Sequence, residues 1–286
     1  MGSVLLYLAN IACGGARSVF CKKNGRHGGD LPLFLLVNTF FSFLLFLIVS
    51  LVKRTFLPSV ALWGLLYGVL FLLSTWSGTV ALKKGPMGTT CAIASLSLVI
   101  PFLWGVTLWH EPFSFLSVFG VAMIFPAAWW MNGKSEKEAS YEKDWWLYTL
   151  LAFLSNGFCS VVQKAQQLSA PGEGSETFLL TAMAVNVLTF GISCLIPRNG
   201  AAAERESRQA ALVFGAGAGL AGGACNLLTM LMAGSRDSSV LFPILSVLNI
   251  AAALLCGRLF FREHLRKIQL CGMAAAAAAI LCIRLG

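Results

Sequence analysis

Residues 105–120 read GVTLWHEPFSFLSVFG, and residues 257–272 read GRLFFREHLRKIQLCG. Gly105, Glu111 and Gly120 of the first stretch recur as Gly257, Glu263 and Gly272 of the second, each 152 positions later. Further upstream, Gly64 and Gly68 recur as Gly215 and Gly219 at an offset of 151. Val37-Asn38 recurs as Val185-Asn186 at 148, and Ser18 with Lys22 as Ser160 with Lys164 at 142. The order is kept and the offset grows steadily, as loop insertions would make it. A duplicated apolar chain is the signature of a membrane protein built from two structural repeats, an arrangement many transporters use.

Composition fixes the class. The chain is 57% hydrophobic and only 12% charged, against roughly 25% charged in ordinary globular proteins. Ten segments approach the ~20 apolar residues that span a hydrocarbon core. They fall near 3–20, 31–52, 58–81, 86–109, 113–132, 145–163, 177–196, 210–233, 238–260 and 267–285. Strand-like alternation is absent, and only helices and closed barrels satisfy their backbone in lipid. The expected fold is therefore an all-α polytopic membrane protein with ten transmembrane helices in two inverted five-helix repeats. Residues 1–132 form the first repeat, 133–144 a polar linker, and 145–286 the second, all in one integrated bundle. The first segment lacks a basic n-region and a small-residue cleavage site, so it reads as a retained helix. Leu6 argues against a myristoylation signal.

Each repeat holds an odd number of helices, so the second copy enters the membrane inverted. Connections after helices 1, 3, 5, 7 and 9 carry sixteen Lys and Arg, including Arg17, Lys22, Lys83, Arg262 and Lys267. The opposite side carries five: Lys53, Arg54, Lys164, Arg236 and Arg284. The positive-inside rule puts both termini outside. The net charge of +9 is thereby assigned to topology and anionic headgroups rather than to nucleic acid.

The units Gly105-VTLWH-Glu111-PFSFLSVF-Gly120 and Gly257-RLFFR-Glu263-HLRKIQLC-Gly272 each resemble the end of a repeat in the drug/metabolite transporter superfamily. Within it, the chain is similar to the ten-helix EamA-type members, where a Glu follows the fourth helix and a Gly opens the fifth. With the helix count and the duplication, the resemblance covers essentially the whole chain. It implies cytoplasmic termini, opposite to the charge bias. It also implies a comparison with the small multidrug members, which depend on a membrane-embedded Glu in their first helix. Here that helix reads LLYLANIACGGARSVF, with none, so proton-driven export of a lipophilic cation is not expected.

Glu111 and Glu263, beside His110 and His264, fall where apolar helix gives way to polar sequence. There a carboxylate caps a following helix or pairs with a neighbouring base. The small-xxx-small glycines at 64/68 and 215/219 read as close-packing sites. Nine cysteines without a CxxC pair read as small hydrophobes, so no metal is expected.

Intramembrane amides and hydroxyls are the candidate binding residues, because buried polar groups in a membrane face other helices or a cavity. At the 152 offset, Ala94, Ser97 and Pro101 correspond to Ser246, Asn249 and Ala253, each trio on one helix face. Two inverted small, polar faces at mid-membrane suit a central pocket; the plainer alternative is helix bridging. The candidate substrate-binding set is Asn10, Trp76, Ser97, Asn156, Asn226, Ser246 and Asn249. Trp76 and Trp104 are possible walls, and Trp129, Trp130, Trp145 and Trp146 read as interfacial anchors.

No nucleophile triad, paired carboxylate or phosphate loop argues for an enzyme, and no cofactor is expected. These residues imply a secondary transporter, an exporter or exchanger of a small organic metabolite, neutral or zwitterionic such as an amino acid, working by alternating access in a bacterial plasma membrane. Its partners would be the small-molecule substrate and membrane lipid, with a homodimer compatible and nucleic acid excluded. The alternatives are translocation of a lipid-linked group and a non-transporting membrane scaffold or sensor.

Overall fold

A computed structural model describes residues 2–54, 56–84, 90, 93–94, 96–111, 114–132, 143–171, 173–195, 205–234, 237–261 and 267–285. Among these, the helices are α1 (Gly2–Arg26), α2 (Leu31–Lys53), α3 (Pro58–Lys84), α4 (Val99–Leu108), α5 (Phe115–Asn132) and α6 (Trp145–Ser169). There follow α7 (Ser175–Leu195), α8 (Arg205–Ala233), α9 (Ser238–Phe261) and α10 (Lys267–Leu285), and a 3-10 turn at Leu96–Leu98 precedes α4. No strand occurs among the described residues.

Among the described residues, six helical stretches are long and apolar enough to cross a membrane: Leu31–Lys53, Pro58–Ala81, Trp145–Ser169, Ser175–Leu195, Arg205–Ala233 and Ser239–Phe260. Leu96–Leu108, Phe115–Trp130 and Lys267–Ile283 are apolar but shorter. In α1, Asn10, Gly14, Gly15 and Arg17 dilute the apolar run. The large side chains left on the surface include Leu62, Leu188, Leu195 and Leu259, each more than two-thirds exposed. An apolar exterior of this kind is consistent with an integral membrane protein.

The chain forms two compact units that do not coincide with its sequence halves. One comprises Met1–Val69 and Gln166–Gly234, the other Leu70–Ala165 and Ser235–Gly286. Each unit thus draws on both halves of the sequence.

In the first unit, Asp30 starts α2 by accepting from the Leu33 amide at 3.5 Å, and α2 packs against α7 and α8. The glycines explain how the helices come close. A methyl group at Gly64 would meet Thr181 and the Phe178 carbonyl, and one at Gly68 would meet Ala182 and Val185. On the other pair, Gly215 faces Val37 and the Phe34 carbonyl, and Gly219 faces the Asn38 carbonyl and Phe41. The glycines are 151 apart, and the four partners (34/178, 37/181, 38/182, 41/185) are each 144 apart. The crossing of α3 on α7 is therefore repeated by that of α8 on α2.

Side-chain hydrogen bonds repeat the pattern. Ser42 Oγ shares its one proton between the Gly219 carbonyl at 2.7 Å and the Asn38 carbonyl of its own helix. Asn186 Nδ2 donates to the Gly68 carbonyl at 3.1 Å and to its own helix at Ala182. This offset of 144 lies one helical turn from the Val37-Asn38/Val185-Asn186 match in the sequence, so those identical dipeptides are not the structural equivalents.

In the second unit, α5 packs along α10. A methyl group at Gly120 would lie 2.8 Å from the Ala279 carbonyl, and Ala127, Ala128, Ala276 and Ala279 are buried. Small residues here replace the hydrophobic driving force that helices lack in lipid. Helix α9 packs against α4, α5, α10 and the 3-10 turn.

Candidate functional site

The local geometry starts from Pro101. A proline has no amide hydrogen, so the Ser97 carbonyl cannot receive the usual i+4 bond, and residues 96–98 form a 3-10 turn instead of α-helix. That carbonyl lies against Gly157 of α6, where an added methyl would sit 2.8 Å from it. The absent side chain at 157 lets α6 approach, and the neighbouring Asn156 Nδ2 donates to Ser97 Oγ at 2.7 Å. Ser97 is buried, whereas Asn156 is exposed.

Helix α9 carries Ser246 and Asn249, both half-buried and three residues apart on one face. Trp76 is 49% exposed and meets Tyr148 edge-to-face at 5.6 Å. Trp104 stacks the same way on Phe158 at 5.8 Å. Ser97, Asn156, Ser246, Asn249 and Trp76 all belong to the second unit.

Asn10 and Asn226 belong to the first. Asn10 is fully buried, and its Nδ2 donates to the Cys225 carbonyl and to Thr229 Oγ1, both at 3.0 Å. It bridges α1 to the turn of α8 that carries the half-buried Asn226. For Asn10 the helix-bridging role accounts for its polar atoms. The seven candidates thus fall into two groups, and Asn156 and Ser97 are in direct contact.

A third cluster in the second unit was not singled out by the sequence. Glu111 is buried, its Oε2 accepts from the Ser239 backbone amide at 2.9 Å, and its Oε1 lies 4.0 Å from Lys164 Nζ. Glu111 therefore does cap a helix and pair with a base, but the helix is α9 and the base is on α6. Glu263 and His264 lie outside the described residues. Lys164 sits five residues inside the end of α6, among the buried Gln163, Gln166 and Gln167. The available cue was the stripe Asn156, Ser160, Gln163, Lys164, Gln167, which recurs at helical spacing along an otherwise apolar helix. Among the described residues, no group of three His, Cys, Asp or Glu is arranged to hold a metal ion.

No family model matches the chain, and no curated protein matches it. Twenty-nine chains of solved structures do. One, described only as "Crystal structure of protein", superposes with a TM-score of 0.75 at 16% identity. It covers 98% of this chain and 96% of its own length. At that identity the similarity speaks for the fold alone.

Proposed function

We propose that the chain is a secondary transporter of a small organic metabolite, neutral or zwitterionic such as an amino acid, working by alternating access in a bacterial plasma membrane. The carrying observation is the exchange of equivalent contacts between halves. Ser42 on α2 bonds the Gly219 carbonyl of α8, as Asn186 on α7 bonds the Gly68 carbonyl of α3. An operation that takes α2 to α7 and α3 to α8 also takes α7 to α2 and α8 to α3, which is a two-fold relation. With five helices per repeat, that axis lies in the membrane plane, giving an inverted repeat of the kind transporters use to exchange side exposure.

The proposed pocket lies in the second unit. The 3-10 turn at Ser97, a polar partner at Asn156, and the Ser246/Asn249 face of the packed α9 supply the hydroxyl and amide groups for a small polar solute. Irregular backbone at membrane depth is tolerated where it lines a cavity or is buried in protein. Trp76 would stand at the edge of that pocket. The sequence holds no nucleotide-binding motif, so a solute or ion gradient supplies the energy.

One observation favours the lipid-linked reading as second choice. Leu96, next to Ser97, lines an apolar groove of about 310 Å³ with Phe125, Pro126, Trp129 and Trp130. Counterflow in reconstituted vesicles tests both readings. Uptake of labelled neutral or zwitterionic metabolites should saturate and accelerate when unlabelled solute is trapped inside. No uptake across such a panel, with movement of a labelled lipid between leaflets, would replace the first reading by the second.

A further inference from the structure

We propose that Glu111, Lys164 and the amino end of α9 form a latch that closes one end of the second unit and must open during transport. The latch rests on the transport reading above. Its three elements are the same three that carry the proposed pocket. Glu111 follows α4, which Ser97 precedes; Lys164 lies on α6 with Asn156; and Ser239 opens the helix that carries Ser246 and Asn249. Lys164 is eight residues from Asn156 and Ser239 seven from Ser246, which is about 10–12 Å along a helix. One carboxylate therefore gathers all three at a single end.

The geometry of Glu111 is built for this task. Beyond α4 the chain turns through Trp109, whose amide donates to the Trp104 carbonyl, and the Glu111 amide reaches back to the Gly105 carbonyl at 3.0 Å. Between them His110 has a φ of +51°, a left-handed conformation that non-glycine residues adopt at a cost. This strained residue directs the next side chain onto the α9 amide instead of letting it continue along the loop.

The electrostatics make the latch two-state. Both side chains are 7% exposed, where a charge that loses its partner is strongly penalised. Asp237, exposed at the same end of α9, is the other carboxylate within electrostatic reach of Lys164. A pair at 4.0 Å, with an amide on the second carboxylate oxygen, offsets part of the cost of burying both charges when closed. When α9 or α6 moves and the pair separates, opening to water solvates both charges. A dry, separated pair is penalised relative to either alternative, which favours an end that is shut or wet.

The test places a reporter in the pocket. In full-length protein with its nine cysteines replaced, Ser246→Cys is labelled in vesicles by a membrane-impermeant maleimide applied to either face. Glu111→Gln keeps an acceptor for the Ser239 amide but loses the charge, and Lys164→Gln leaves Glu111 on that amide. Each should speed labelling from one face by about tenfold, and Lys164→Arg should restore the slow rate. Labelling of Lys164→Gln at the parent rate from both faces overturns the latch, even if its thermal midpoint falls. Labelling is read without transport, so failure of the wild-type protein to move any solute would sink the transport reading separately.

Discussion

Asn156 and Ser97 are 59 positions apart in the chain, and the amide of one donates to the hydroxyl of the other at 2.7 Å. The contact exists because Pro101 leaves the Ser97 carbonyl without an i+4 amide and Gly157 lets α6 close on the 3-10 turn there. A single hydrogen bond thus joins a 3-10 turn to a polar stripe.

Replacing Asn156 or Asn249 with Leu should lower counterflow by about tenfold, the loss of roughly one good hydrogen bond to solute. Membrane yield should be unchanged, because Leu inserts more readily than a polar residue. Counterflow normalised to protein in the membrane fraction measures both. Full activity in Asn249→Leu would remove α9 from the pocket.

The helix crossings predict which glycines are intolerant. Gly68→Ala and Gly219→Ala press a methyl onto backbone of α7 and α2 and should each destabilise by about 1–3 kcal/mol. Gly78→Ala, whose methyl would make ordinary contact with Ala152 at 3.9 Å, should stabilise by roughly 0.5–1 kcal/mol. Thermal midpoints in detergent would separate the two classes.

Interhelical hydrogen bonds in membranes are worth about 0.6 kcal/mol on average and at most about 1.7. Ser42→Ala and Asn186→Ala should each cost an amount in that range. Thr189 donates within its own helix to the Val185 carbonyl, and Thr189→Ala should cost much less. Equal losses at all three positions would mean that the interhelical bonds contribute nothing.

His110 offers a backbone test. Glycine tolerates its φ of +51°, whereas a β-branched residue does not. His110→Gly should hold or raise the thermal midpoint, and His110→Val should destabilise by about 1–3 kcal/mol.

Much of the helical layout is readable from apolar run length, because lipid demands long uncharged segments. Gly64/Gly68 and Gly215/Gly219 are readable as close-packing sites, since few other roles suit paired glycines four residues apart in a helix. The end of α6 is not. Polarity at Gln163 and Lys164 looks like the water boundary, yet the helix continues to Ser169 because those side chains find buried partners. The Glu111–Lys164 pair is hidden for the same reason. Its members are 53 positions apart, and only tertiary packing decides which base a carboxylate meets. Equivalent positions in α2 and α7 are likewise set by what they touch, which is why an identical dipeptide gives a register one turn off.

Ser42 also has a consequence for synthesis. Its interhelical partner, Gly219, lies 177 residues downstream, roughly ten to thirty seconds of translation away at typical rates. Throughout that interval α2 can already stand in the bilayer. The bond from Ser42 Oγ to the Asn38 carbonyl, 3.0 Å away in the same helix, gives the hydroxyl a resident acceptor while it waits. Insertion and assembly are thereby separable in time: the helix enters lipid with its polar group satisfied, and its proton is shared with the second carbonyl when the last third of the chain arrives.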